Sequence, residues 1–89
     1  MASHSREKRE QGVSLGQPAV YRIVVQGVLP AEYADRLGGL RLRVGPGTSG
    51  GSATTLTGRL RDQSQLLGVL NGLYEMHLPI LSIELLEAE

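Results

Sequence analysis

The sequence predicts an α+β domain in which two helices pack on one face of a four-stranded antiparallel sheet. Three observations predict it. Short segments rich in β-branched and leucine residues alternate apolar with polar side chains. Two further segments show helical features, the second with leucine at helical spacing. Together they run strand, helix, strand, strand, helix, strand, with turn residues at the joints.

Each element has a local cause. Val20 to Leu29 is the first strand, with Tyr21, Ile23 and Val25 on one face and Arg22, Val24 and Gln26 on the other. Pro30 suits the opening of a helix over Ala31 to Leu37, with Glu32 near its positive end and Gly38-Gly39 as its stop. Leu40 to Val44 alternates as a half-buried strand, with Arg41 and Arg43 outward. Gly45 to Ser52 reads as a turn or flexible loop. Ala53 to Leu60 is the third strand, with Leu56 and Leu60 inward and Thr55, Thr57 and Arg59 outward. Gly58 falls inward, where a bulge or a close helix backbone would need it.

Asp62 and Gln65 form the outline of a capping box. Leu66, Leu67, Leu70, Leu73, Tyr74 and Leu78 then recur at helical spacing as far as Pro79. Asn71-Gly72 interrupts that pattern at a cost of about 1 kcal/mol in propensity. Ile80 to Leu86 is the last strand, with Leu81, Ile83 and Leu85 on one face. The order is that of a ferredoxin-like βαββαβ two-layer sandwich.

Residues 1–18 mix both charge signs with Gly, Ser and Pro, and carry no periodicity; a disordered tail is expected there, followed by one domain over 19–89. Its Arg6, Lys8 and Arg9 are offset by Glu7 and Glu10. Nine basic and nine acidic residues give no net charge, so long-range attraction to nucleic acid or to an anionic membrane is not expected. The chain has no Cys, which removes disulfides and thiolate chemistry. No apolar run reaches a membrane span of roughly 18 residues and no signal peptide is evident, so a cytoplasmic location is expected. Three Tyr and no Phe or Trp make the core aliphatic and small, and added burial in a homo-oligomer is the expected remedy.

In the expected layout the helices leave one sheet face uncovered. Alternation assigns Arg22, Val24, Gln26, Arg41, Arg43, Thr55, Thr57, Arg59, Ser82 and Glu84 to it. Three roles are open to this candidate interaction face: a solvated surface, a docking surface for a second copy or another protein, or a platform for a small anion. Ferredoxin-like RNA binders stack bases on aromatic side chains of such a face, and this one has none, which argues against RNA.

Several motifs resemble chemistry without its context. Gly45, Gly47 and Gly50 spell G-x-G-x-x-G but lead into a strand, not the helix a dinucleotide site needs. Gly50-Gly51-Ser52 lacks the phosphate-binding lysine of a P-loop. His77, at a helix end, reads as a cap or surface residue, and only His4 offers a second imidazole. Asp62 is accounted for as a cap, and Glu84, Glu87 and Glu89 as solvated charges. No nucleophile elbow is present, so no catalytic residue, metal or cofactor is assigned.

From Thr54 to Ile83 the chain resembles a group of short bacterial proteins of unassigned activity. In them a strand ending in Leu-x-Gly leads to Asp-Gln, a leucine-rich helix, Leu-Pro and a Leu-Ser strand. Members of this group carry Gly before Leu-Pro, where this chain has His77. The resemblance implies no reaction, cofactor or functional residue. The architecture is also similar to that of ACT-type ligand-sensing domains. Two functions are therefore expected in order: a non-enzymatic interaction or regulatory module that self-associates, then a sensor that holds a small anionic metabolite at an oligomer interface.

Overall fold

The computed structural model describes residues 16–48 and 50–88. The expected tail therefore lies outside the described residues, apart from residues 16–18, as do His4 and Glu89. Four strands, β1 (Ala19–Gln26), β2 (Arg41–Pro46), β3 (Ser52–Leu60) and β4 (Ile80–Ala88), form one antiparallel sheet. Their spatial order is β2-β3-β1-β4. Among the described residues a single α-helix, α1 (Gln63–Glu75), joins β3 to β4.

The first predicted helix is not an α-helix. Ala31–Tyr33 and Asp35–Leu37 are two short 3-10 turns, with no side-chain cap on either. Seven residues between Pro30 and Gly38-Gly39 allow barely two helical turns, too few to offset the cost of nucleation. Gly38 closes the segment in the left-handed region at φ 83°, and the Gly39 N–H donates to the Ala34 carbonyl at 2.8 Å. What the segment does contribute is Leu37, which is buried.

Alternation along β1 places Tyr21, Ile23 and Val25 beneath α1, all buried. They join Leu56 and Leu60 of β3 and Leu66, Val69 and Leu73 of α1 in one aliphatic core, with Leu29, Leu37 and Leu40 at its margin. Thr54, also inward-facing, is fully buried. Its hydroxyl accepts from the Leu29 N–H at 3.1 Å and donates to the Gly27 carbonyl at 2.8 Å, so one side chain closes the turn that leaves β1.

Two glycines create the space for this packing. Gly72 does not interrupt α1, which runs unbroken from Gln63 to Glu75. A Cβ at Gly72 would lie 2.8 Å from Leu37 Cδ2, so the propensity lost in the helix is exchanged for docking of the 3-10 segment. At Gly58 the expected close approach is real but its partner differs. A Cβ there would meet Leu40 Cδ2 at 2.8 Å, and no helix backbone is involved.

The start of the helix follows its sequence signal, whereas its end comes at Glu75, short of the expected stop at Pro79. Asp62 Oδ1 accepts the Gln65 N–H at 2.9 Å, while Gln65 Oε1 accepts the Arg61 N–H at 2.7 Å, a capping box displaced by one residue on its return bond. At the other end His77 takes φ 61°, where glycine is the usual residue. The His77 N–H donates to the Tyr74 carbonyl at 2.9 Å and the Leu78 N–H to the Leu73 carbonyl at 3.2 Å. That pair of bonds is the Schellman motif, formed here with a histidine in the left-handed position.

Two outcomes follow from these caps. His77→Gly relieves left-handed strain and raises stability by about 1 kcal/mol, read as a higher urea midpoint at unchanged slope. The Asp62 carboxyl is held below its ordinary range, chiefly by the Gln65 N–H and next by the Ser64 hydroxyl. A depressed folded-state value stabilises above the unfolded-state value and the benefit vanishes as pH falls through the folded one. The stability advantage of the native chain over Asp62→Asn therefore shrinks below the ordinary carboxylate range. An advantage unchanged between neutral and acid pH would contradict this.

Candidate functional site

The uncovered face is built from two rows that run across the sheet. In the first, Arg41 of β2 stands opposite Thr57 of β3, Thr57 opposite Arg22 of β1, and Arg22 opposite Glu84 of β4. In the second, Arg43, Thr55, Val24 and Ser82 succeed one another in the same way. Arg59 lies in a flanking row opposite Val20, which faces Glu87, and Gln26 ends the face opposite Ala53. The structure thus brings Arg22, Val24, Gln26, Arg41, Arg43, Thr55, Thr57, Arg59, Ser82 and Glu84 to one side, away from α1.

Within that face Arg22, Arg41, Arg43, Thr55 and Thr57 line one shallow depression of about 390 Å³. Adjacent strands lie roughly 4.8 Å apart, so Arg41 and Arg22 rise from positions about 10 Å apart with Thr57 between them. Arg43 is two residues from Arg41, about 7 Å along the same strand. Arg22 is engaged by Glu84, Nε to Oε1 at 2.7 Å, with both side chains about half exposed (45% and 51%). Arg41 and Arg43 have no ion pair among the described residues. Three guanidinium groups around two hydroxyls offer many N–H and O–H donors against one carboxylate at the edge.

The opposite face holds a second feature, which alternation alone misses. Alternation predicts Leu81, Ile83 and Leu85 on one face of β4; the structure puts Ile80, Ile83 and Leu85 there and leaves Leu81 at a register irregularity, where the pleat no longer fixes its side. Every residue from Ile80 to Ala88 is exposed, with Ile80, Leu81, Ile83, Leu85 and Leu86 at 37 to 45%. Ile83 stands opposite Ile23, Leu85 opposite Tyr21 and Ile80 opposite Val25, so these three lie on the helix side. Irregularities in the β1–β4 register occur beside Leu81 and Leu86. α1 packs on β3 and on the second 3-10 turn, and leaves β4 exposed at every position.

The flank of α1 nearest β4 is apolar too. Gln63 donates to the Tyr21 hydroxyl at 2.9 Å, which fixes the flank that faces β1. Helical spacing puts Leu67, Leu70 and Tyr74 on that flank, and Leu67 and Tyr74 are 59% and 75% exposed. Leu85 neighbours Tyr21, so these side chains and those of β4 border one open apolar corner. The readable signal for it was the doublets Ile80-Leu81 and Leu85-Leu86, which break strict alternation.

The other sequence candidates gain no chemistry. Gly47 donates its N–H to the Gly51 carbonyl at 3.0 Å and Thr48 bridges Gly50, so the glycine motif is a hairpin tip. His77 is exposed at the helix end. Among the described residues no three His, Asp or Glu side chains cluster as metal ligands would, and no helix is long and apolar enough to cross a membrane.

The family described as Domain of unknown function (DUF8691) matches residues 20–84, nearly the whole span from β1 into β4. No curated protein and no solved structure matches the chain.

The half-exposed Arg22–Glu84 pair contributes little to folding. Glu84→Gln is expected to change unfolding stability by less than about 1 kcal/mol in urea denaturation. A larger loss would mark the pair as structural.

Proposed function

The chain belongs to the DUF8691 family, and we propose that it is a non-enzymatic interaction module that self-associates through β4. The observation that carries this reading is the nine-residue edge strand, exposed at every position and bearing five large aliphatic side chains. An edge strand presents a row of unpaired N–H and C=O groups, and soluble monomers blunt such edges with charge, proline or brevity. β4 is long, holds no proline or lysine, and carries only Glu84 and Glu87 as charges within its bounds, and its two register irregularities leave Ser82 to Leu85 as a regular stretch between them. Exposed apolar surface beside an open edge is a docking surface.

A second copy satisfies both features at once. Antiparallel pairing of β4 with β4 about a two-fold axis extends the sheet and pairs the free edge. The same axis brings Leu67, Tyr74, Ile83 and Leu85 of each copy toward the junction. The fold reads as a ferredoxin-like sandwich whose first helix has been reduced to 3-10 turns, since strand order and directions agree with that arrangement.

The arginine face is a poorer self-association surface. Packing it on a second copy would set Arg22, Arg41 and Arg43 against their own equivalents, a like-charge juxtaposition opposed at any modest dielectric.

Light scattering at micromolar concentration is expected to report a dimer. Burying the remaining exposed part of one leucine contributes about 1 kcal/mol, and symmetry counts each twice. Leu81→Lys together with Leu85→Lys is therefore expected to raise the dissociation constant by roughly a hundredfold or more, while Val24→Glu on the other face leaves the dimer intact. A native chain that is monomeric at this concentration sinks the reading, and dissociation by Val24→Glu alone moves the interface to the arginine face.

A further inference from the structure

We propose that the depression between Arg22, Arg41 and Arg43 is a binding site for a phosphate-bearing small molecule. This goes beyond self-association and does not depend on it, because the site is complete within one chain.

The sheet register supplies the geometry. Arg41, Thr57 and Arg22 follow one another across β2, β3 and β1, and Arg43 and Thr55 form the next row. Side chains on one sheet face stand roughly parallel, so the guanidinium groups rise as three posts around a floor of two hydroxyls. All five residues line the same depression. Arginine is long enough for its fork to bend over neighbouring threonines, and the spacing of about 7 to 10 Å between the posts suits two or three forks closing on one anion. Neither threonine hydroxyl forms a hydrogen bond among the described residues, so both can donate.

The charge balance favours an anion of more than one negative charge. Arg41 and Arg43 lack a protein counter-ion among the described residues, whereas Arg22 shares its charge with Glu84. Two like charges held on one strand repel, and a dianion between them relieves this. The tetrahedral oxygens of phosphate accept from several forks at once, which a single carboxylate does less well. A volume of about 390 Å³ is at the small end for ligand sites, which fits a compact metabolite. A nucleic-acid strand is disfavoured because the face has no aromatic side chain for stacking and the chain has no net charge.

Glu84 sets the direction of a diagnostic change. It competes with the ligand for Arg22, so its neutralisation should strengthen binding, whereas a structural role would predict loss.

The test is titration of the full chain with inorganic pyrophosphate, followed by calorimetry and by backbone amide NMR. Saturable shifts are expected at Arg41, Arg43, Thr55 and Thr57. Arg41→Gln with Arg43→Gln is expected to weaken binding roughly tenfold or more, and Glu84→Gln to tighten it severalfold. Circular dichroism establishes that each variant is folded, and Thr57→Val serves as a second, uncharged probe expected to weaken binding. No saturable response to pyrophosphate in the folded native chain overturns the proposal. So does an affinity unchanged in the double arginine variant, or an unstructured oligonucleotide that binds where pyrophosphate does not. The light-scattering result for β4 is independent of all three, so the two proposals fail separately.

Discussion

A helix about 10 Å across covers about two strands, and this sheet has four. Everything else in the structure follows from that shortage of cover. α1 lies over the sheet centre and is steadied by Leu37, which reaches Gly72 from the 3-10 segment. The helix packs on β3, and β4 stays exposed. The two central strands are buried on their inward face, and the outer strand β4 is left bare along its length.

That asymmetry gives the molecule two chemically distinct surfaces. One is the apolar corner formed by β4 and the outer flank of α1. The other is the polar face of the sheet, where cross-strand register collects arginines around threonine hydroxyls. They meet at one ion pair, since Glu84 belongs to β4 and holds Arg22 of β1.

The small aliphatic core depends on polar closure at its edges. Thr54 satisfies both backbone groups of the turn after β1, and Gln63 satisfies the Tyr21 hydroxyl. Among the described residues no buried side-chain polar atom lacks a partner. A core without Phe or Trp has little surplus to offset an unsatisfied donor, so such closures matter more here than in a larger domain.

Local sequence determined the strands, the faces of β1 to β3 and the helix N-cap. Alternation at Arg41, Arg43, Thr55 and Thr57 sorted side chains to a face because the pleat forces successive residues apart. Asp62 and Gln65 marked the start of α1 because a cap is satisfied within one turn. Tertiary structure alone decided three other matters. It docked the short Ala31 to Leu37 segment, too brief for a stable helix, as a pair of 3-10 turns whose Leu37 enters the core. It converted Gly72 from an apparent flaw into a seat for Leu37. And it left Ile80, Leu81, Ile83, Leu85 and Leu86 in the open, because periodicity states which side a residue faces and says nothing of whether anything lies above it.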